Sequence, residues 1–267
     1  MRTLRELSNL KGRQGLITGA AGGLGQIFAE TLAELGADLI LVDLPKSNLE
    51  GLAKRLENDW GTSLKVIQCD LEKQSQRLRL AEQVTNSNYN LSILVNNAAF
   101  VGSSQLLGWN VPFQNQSVES WHRALEVNLI AVFELCQVLY PTMKQAQGAN
   151  IINITSIYGS YGPDWRLYEG TEINNPAAYA ASKGGLTQLT RWLSTTMAPS
   201  VRVNAISPGG LFNHQDDSFV TKYESRTPLG RMAVQEDFKG AMAFLASDQS
   251  RYVTGHVLEV NGGWGVW

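Results

Sequence analysis

Short runs of apolar residues recur along the chain, at Gly15–Thr18, Leu39–Val42, Leu64–Gln68, Leu91–Val95, Ile151–Thr155, Val201–Ile206 and Val257–Val260. Several are apolar throughout and do not alternate with polar residues. That is the mark of strands covered on both faces. Helical patterns lie between them, at Leu24–Leu35, Leu49–Asp59, Ser117–Gln145, Pro176–Met197 and Gln235–Ser247. Alternation of this kind predicts an α/β fold with right-handed crossovers and a doubly wound parallel sheet carrying helices on both faces. No Pro/Ser linker, charge block or internal repeat divides the 267 residues, a length that suits one α/β domain. A single domain over 1–267 is expected, with 12–150 mainly binding cofactor and 151–267 carrying catalysis and substrate. Two irregular stretches stand out, Ile157–Asn175 and Leu211–Arg226. Loops of that length in a compact domain are usually functional or mobile.

Composition removes several function classes. A net charge of -2 gives no footprint for nucleic acid or an anionic membrane. No apolar run approaches a membrane span, and the start Met1-Arg2-Thr3-Leu4-Arg5-Glu6 lacks the apolar stretch of a signal peptide. Cys69 and Cys136, the two cysteines, read as free buried thiols of a reducing compartment. A cytoplasmic protein is expected. No His/Cys cluster has metal-ligand spacing, so no metal is expected.

The amino-terminal third carries a nucleotide-binding pattern. The first strand runs into Thr18-Gly19-Ala20-Ala21-Gly22-Gly23-Leu24-Gly25 and then a helix. Glycines there allow a tight turn and close backbone approach, while the helix N-terminus offers free N–H groups to a pyrophosphate. The spacing of Gly19, Gly23 and Gly25 differs from the common Gly-x-Gly-x-x-Gly, so its strand-before, helix-after setting carries the reading. Asp43 ends the second strand about 20 residues on, where an acid holds a ribose diol. Its carboxylate would repel a 2′-phosphate, and no Arg or Lys lies within Ala20–Gly23, so NAD(H) is favoured over NADP(H). Asp70, before Leu71, suits a helix cap, an adenine contact, or both. The fourth strand ends in Asn96-Asn97-Ala98-Ala99, leaving backbone accessible at the carboxyl edge of the sheet, where open α/β folds bind ligands.

Tyr179 and Lys183 stand four apart in a helical run, which puts them on one face. An ammonium beside a phenol favours the phenolate, so Lys183 is expected to lower the Tyr179 pKa from about 10 toward working pH. Alone, Tyr-x-x-x-Lys is more often two residues of an amphipathic helix.

Together these pieces resemble the short-chain dehydrogenase/reductase family, in its compact branch, from Lys11 to Trp264. The resemblance rests on Gly19–Gly25, Asp43, Asp70, Asn96–Ala98, Asn128, Ser156, Tyr179, Lys183 and Ser207-Pro208-Gly209. It implies a seven-stranded Rossmann sheet, NAD(P) at its carboxyl edge, and a homodimer or homotetramer. It also implies a catalytic group: Tyr179 as general acid/base, Lys183 lowering its pKa and binding ribose, Ser156 bonding the reacting oxygen, and Asn128 holding a proton-relay water. Gly19, Gly23, Leu24, Gly25, Asp43, Asp70, Leu71, Asn97, Ala98, Tyr179, Lys183, Pro208, Gly209, Leu211 and Asn213 are the implied cofactor contacts.

Three departures follow. Ala99 replaces a common Gly, and Asn213 replaces a Thr that binds the carboxamide. Ser156 and Tyr179 are 23 positions apart, about twice the family's usual gap. The extra chain, within Tyr158–Asn175, is anchored at both ends by the chemistry. Its aromatic and polar residues suit a small polar substrate such as a sugar, with Arg166, Tyr168, Glu169 and, from the second irregular stretch, His214 as candidate contacts. A lid or interface loop without substrate contacts stays open as the other reading. Tyr168-Glu169-Gly170-Thr171 and its surroundings resemble family members of bacterial surface-polysaccharide and flagellin-glycan gene sets.

The leading function is an NAD(H)-dependent oxidoreductase interconverting a secondary alcohol and a ketone. A sugar-nucleotide epimerase or dehydratase is the first alternative, disfavoured by the glycine spacing. A non-catalytic NAD-binding sensor is the second, disfavoured by the intact catalytic group.

Overall fold

Every predicted apolar run forms a strand: β1 (Gln14–Thr18), β2 (Asp38–Asp43), β3 (Leu64–Gln68), β4 (Leu91–Asn96), β5 (Asn150–Ile154), β6 (Arg202–Pro208) and β7 (Val257–Val260). The computed structural model describes residues 1–86, 90–101, 106–171 and 174–267; Glu172 and Ile173 of the long insert lie outside them. The strands make one parallel sheet in the order β3-β2-β1-β4-β5-β6-β7. The helices among the described residues are α1 (Leu4–Ser8), α2 (Gly23–Glu34), α3 (Leu49–Trp60), α4 (Gln74–Thr85), α5 (Val118–Leu125), α6 (Ala131–Met143), α7 (Ala177–Met197), α8 (Asp217–Arg226) and α9 (Lys239–Ala246).

Successive strand residues point to opposite faces, and both faces are covered. Leu16, Ile40, Leu94, Ile151 and Val203 pack with Leu135 and Leu139 of α6 and Leu186 of α7. Their neighbours Ile17, Leu39, Leu41, Ile93 and Ile152 pack with Phe28 of α2, Leu52 of α3 and Met242 of α9. Each fully buried Leu or Ile contributes roughly 1.5–3 kcal/mol, so a register that hides both alternating sets prevails. This is why the strands carry no polar alternation.

Three elements differ from the sequence reading. Helix α4 has few apolar residues and was not expected. It docks through Arg77, 1% exposed, which donates to the Leu71 carbonyl, to Glu126 at 2.7 Å and to Glu134. The stretch Leu211–Arg226, read as irregular, contains α8, started by the Asp216 carboxylate accepting from Ser218 N. The run Val118–Met143, 26 residues with mean hydropathy 1.4, is long and apolar enough to cross a membrane, contrary to the expectation that no run approaches that length. Here it is a core element, with Leu135, Cys136, Leu139 and Met143 fully buried on the sheet. A π-turn, Glu126–Ile130, joins its halves α5 and α6.

The aromatic carboxyl-terminal segment packs on its own chain through Trp264. Trp264 is 2% exposed and stacks on Tyr223 of α8, 4.4 Å between ring centroids. Trp267 stays exposed, its indole N–H donating to the Arg226 carbonyl.

Arg77 ties α4 to the π-turn and to α6, and its loss strands two carboxylates. Arg77→Ala is expected to cost about 3 kcal/mol of unfolding free energy in urea titrations. A loss below about 1 kcal/mol would show that the pairs contribute little.

Candidate active site

The strand order reverses between β1 and β4, and at such a switch point the outgoing connections diverge and leave a crevice at the carboxyl edge. A cavity of about 840 Å³ occupies it. One wall is the glycine turn, contributing Gly19, Gly23, Leu24 and Gly25; Asp43, Asp70 and Leu71 follow from the ends of β2 and β3. Asn97 and Ala98 follow β4, Ser156 follows β5, Tyr179 and Lys183 come from α7, and Pro208 and Gly209 close β6.

The glycine turn is built by close approach. Gly19 has φ of 64°, and a Cβ there would meet the Ala98 Cα at 2.7 Å. A Cβ on Gly25 would lie 2.0 Å from the Gly19 carbonyl oxygen, so only glycine lets α2 start so near β1. The turn is fastened to β4: Thr18 Oγ1 accepts from Asn97 N and Ala98 N, each at 3.1 Å. The Asn97 side chain donates to the Thr18 and Gly19 carbonyls at 3.0 and 2.9 Å. Asp43 stands alongside, its carboxylate accepting from Ala21 N at 2.8 Å and Leu44 N at 2.7 Å. Asp70 accepts from Glu72 N at 3.1 Å, shaping the turn before α4 without being its cap residue, which is Lys73.

The site fits the dinucleotide that the sequence implies. Helix α2 begins at the cavity with Gly22 as its cap residue, no side chain bonding its first N–H groups and no acid in its first turn. Helices α3, α5 and α8 are capped by Asn48, Ser117 and Asp216. An uncapped N-terminus facing a cavity is suited to a pyrophosphate.

At the opposite end stand Ser156 and Tyr179, the two residues for which the resemblance implies contact with the reacting oxygen. Burial pushes the Tyr179 phenol above its ordinary range, and the hydrogen bond with the Ser156 hydroxyl pulls the other way. Ser156 Oγ is aimed by accepting from Tyr158 N at 3.2 Å. Lys183, 2% exposed, has its ammonium pulled down to about 8 by burial. Its Nζ donates to the Ile154 carbonyl at 2.7 Å and lies 5.7 Å from the centroid of the Tyr179 ring. Lys183 and Tyr179 share a helix face, as the spacing predicts, and a hydrogen bond from Ser156 also acts to lower the phenol.

Asn128 sits in the π-turn, a feature frequent at functional sites. Its amide accepts from Phe100 N at 2.6 Å and donates to the Phe100 carbonyl and to Ser182 Oγ, at 3.3 and 2.9 Å. The side chain is thus engaged by the protein itself.

Other expected contacts lie apart from the cavity. Leu211 packs in the core beneath α2, and Asn213 is exposed, its N–H donating to Gln215. His214 is exposed against Phe212 with φ of 56°. Arg166, paired with Asp164, and Glu169, whose carbonyl accepts from Lys222, border a separate cavity of about 480 Å³ with Arg226 and Trp267. Tyr168 is buried in the insert among aromatic rings. Sequence reasoning missed Glu72 and Arg123, which pair through two hydrogen bonds of 2.7 and 2.9 Å at the cavity wall, with the Arg123 guanidinium over Phe100. Two charged residues 51 positions apart leave no sequence signal. Cys69 and Cys136 are free and buried. No cluster of potential metal ligands occurs among the described residues.

Comparisons with known proteins agree with this geometry. A family model described as enoyl-(acyl carrier protein) reductase matches residues 19–265. The chain belongs to the short-chain dehydrogenase/reductase family. It is 32% identical to the 3-oxoacyl-(acyl-carrier-protein) reductase of Thermotoga maritima, covering 95% of this chain and 98% of that protein. It is 27% identical to the post-translational flagellin modification protein A of Campylobacter coli, over 94% of this chain and 97% of that one. The crystal structure of a gluconate 5-dehydrogenase from Burkholderia cenocepacia, with NADP and tartrate, superposes with a TM-score of 0.86 at 28% identity, covering 99% and 100% of the two chains. The protein is therefore an oxidoreductase of CH–OH or carbonyl groups.

Burial of Lys183 has a testable sign. Below about pH 8 the folded and unfolded chains both hold its proton, and the burial penalty is fully present. From there up to its ordinary value of 10.5, the unfolded chain binds the proton and the folded chain does not, so this residue makes stability rise with pH. Urea unfolding of wild type and Lys183→Met at about pH 7.5 and about pH 9.5 should show the wild type gaining about 1–2 kcal/mol on the variant. No gain, or a loss, would contradict the buried ammonium.

Proposed function

We propose that the protein is an NAD(H)-dependent oxidoreductase that interconverts a secondary alcohol and a ketone on a sugar or similarly polar metabolite. The observation that carries this reading is one cavity bounded by Asp43 and the glycine turn at one end and by Ser156, Tyr179 and Lys183 at the other. A nicotinamide cofactor supplies or accepts the hydride when bound. The chain's own residues handle the oxygen. Tyr179 gives its proton to the oxygen in reduction and takes it back in oxidation, and a phenol held up by burial is a firm proton holder. Ser156 donates a hydrogen bond to the same oxygen as charge develops on it. Lys183 places a positive charge over the Tyr179 ring, favouring phenolate when the proton leaves.

The NAD(H) preference rests on Asp43, whose carboxylate is fixed by two backbone N–H groups at the cavity wall and would repel a 2′-phosphate. Arg123, also at that wall, is neutralised by Glu72. The polar substrate rests on the insert between Ser156 and Tyr179, and gluconate and flagellin modification in the names of similar proteins point the same way. A homodimer or homotetramer is part of the proposal, supported by exposed Ile130 in the π-turn, Phe133 on α6 and Trp192 on α7. Sedimentation equilibrium returning a monomer would contradict it.

Tyr179→Phe should keep NADH affinity, read by fluorescence titration, and lose turnover by about two orders of magnitude or more. Near-normal turnover in that variant would refute the mechanism. In the wild type, kcat/KM with NADH should exceed that with NADPH by about tenfold or more, the equivalent of about 1.4 kcal/mol of discrimination at Asp43. A preference for NADPH would overturn the Asp43 reading.

A further inference from the structure

The chain leaving β6 walls the cavity with Pro208 and Gly209 and then continues through Gly210. Main-chain bonds hold the two glycines: Gly209 N donates to the Val260 carbonyl and Ala233 N donates to the Gly210 carbonyl, each at 2.9 Å. A side chain adds another. Gly210 N donates to the hydroxyl oxygen of Tyr223 at 2.5 Å. Tyr223 belongs to α8, so this bond joins the wall of the cavity to a helix outside the sheet. A smaller cavity of about 210 Å³ is lined by Gly209, Gly210 and Tyr223. Gly209 borders both cavities. The wall therefore has open space behind it and little packing to keep it in place, which leaves work for a brace.

The phenol is itself fixed before it reaches the wall. Tyr223 is 2% exposed, and its ring stacks on Trp264 with 4.4 Å between centroids and 20° between planes. Trp264 in turn carries the Arg226 guanidinium 5.0 Å from its ring centroid, and Phe219 lies 6.0 Å from the Tyr223 ring. Burial pushes the phenol up to about 12, so it stays uncharged at neutral pH. The glycines make room for this approach. A Cβ on Gly210 would lie 2.7 Å from Cζ of Tyr223, and one on Gly209 would lie 3.2 Å from its hydroxyl oxygen. Ring and turn thus fit each other closely, and only a residue without a side chain lets the hydroxyl reach the Gly210 N–H.

We propose that Tyr223 is a positioning residue: through Gly210 it holds the Pro208–Gly209 wall in the shape that receives the nicotinamide half of the cofactor, so that this half meets a preformed surface. The sheet order assigns the half. Strand β6 lies next to β5, which leads to Ser156, whereas Asp43 ends β2 on the other side of the switch point. A surface fixed beforehand spares the ligand the cost of ordering it, and that saving appears as affinity. The inference rests on the NAD(H) reading above and adds to that site a residue that touches neither the cavity nor the reacting atoms.

The test is calorimetric titration of wild type, Tyr223→Phe and Tyr161→Phe with NADH and with ADP. ADP carries the adenosine and both phosphates but no nicotinamide half. Tyr223→Phe keeps the ring that stacks on Trp264 and removes only the acceptor of the Gly210 N–H. Tyr161→Phe is the control: its phenol packs against the same group of rings but donates to Glu259, at 2.8 Å. NADH binding should weaken by about fivefold or more in Tyr223→Phe, while ADP binding changes by less than about twofold. Tyr161→Phe should alter neither. Unchanged NADH affinity in Tyr223→Phe would overturn the role of Tyr223. So would an equal loss for ADP, the mark of general loosening, or an equal NADH loss in Tyr161→Phe. In each of these cases wild type still binds NADH and the cofactor reading stands. Wild type binding no NADH would sink that reading and this inference together.

Discussion

The double-sided burial of the sheet is the constraint from which the site follows. Leu16 and Ile17, Ile40 and Leu41, Ile93 and Leu94, and Ile151 and Ile152 each send neighbouring side chains into opposite apolar layers. Neither face then has room for unsatisfied polar chemistry. Polar groups are driven to the carboxyl edge, where the chain leaves β1, β2, β4, β5 and β6 and where the reversed strand order opens a crevice. Polar residues placed inside the layers form a line: Asn96 donates to Asn153 at 2.9 Å, and Asn153 donates to Thr190 of α7 at 2.9 Å. That line fixes α7, and so Tyr179 and Lys183, against the strands that carry Asn97 and Ser156.

The same low-dielectric setting gives the site its chemistry. A lysine without a carboxylate partner is kept 2% exposed, with its ammonium on the Ile154 carbonyl and its pKa pulled down to about 8. Burial of an ammonium is costly, and a fold retains such a residue where function needs a charge in place. In the proposed reaction Tyr179, raised by the same burial, keeps its proton until an oxygen with developing charge arrives, and Ser156, aimed by Tyr158 N, offers the second hydrogen bond. The extra chain between Ser156 and Tyr179 adds polar groups to this corner without disturbing it, because both its ends are pinned by the catalytic residues themselves.

Much of this was legible in the sequence, for physical reasons that also mark the limit. Strands buried on both faces announce themselves as unbroken apolar runs, and Gly19 and Gly25 announce a backbone approach that no Cβ survives. Residues whose work depends on chain neighbours, such as Tyr179 and Lys183 one helical turn apart, were readable from spacing. Helix α4 was not, because only Leu80, Ala81 and Val84 of its apolar residues are buried, and its other anchor, Arg77, reaches carboxylates 49 and 57 positions away, a pairing that leaves no periodicity. Helix α8 was hidden by a polar sequence that buries only Phe219 and Tyr223. Arg166 and Glu169 looked like substrate contacts by residue type. Asp164, two positions from Arg166, takes up its guanidinium and turns it to the outer surface. The placement of the ammonium was also not legible in the spacing. Helical geometry fixed the face of Lys183, while the free carbonyl at the end of β5 decided where its proton went.

The central claim is that this edge of the sheet carries hydride chemistry at a carbinol carbon, with the proton managed by Tyr179. Reduction of acetoin with NADH deuterated at the reactive nicotinamide carbon, followed by NMR of the product, tests it directly. Deuterium appearing at the new carbinol carbon, with deuterium from heavy-water solvent absent from that carbon, is the result predicted. Product formed without transfer of the label, or label scrambled with solvent, would contradict it.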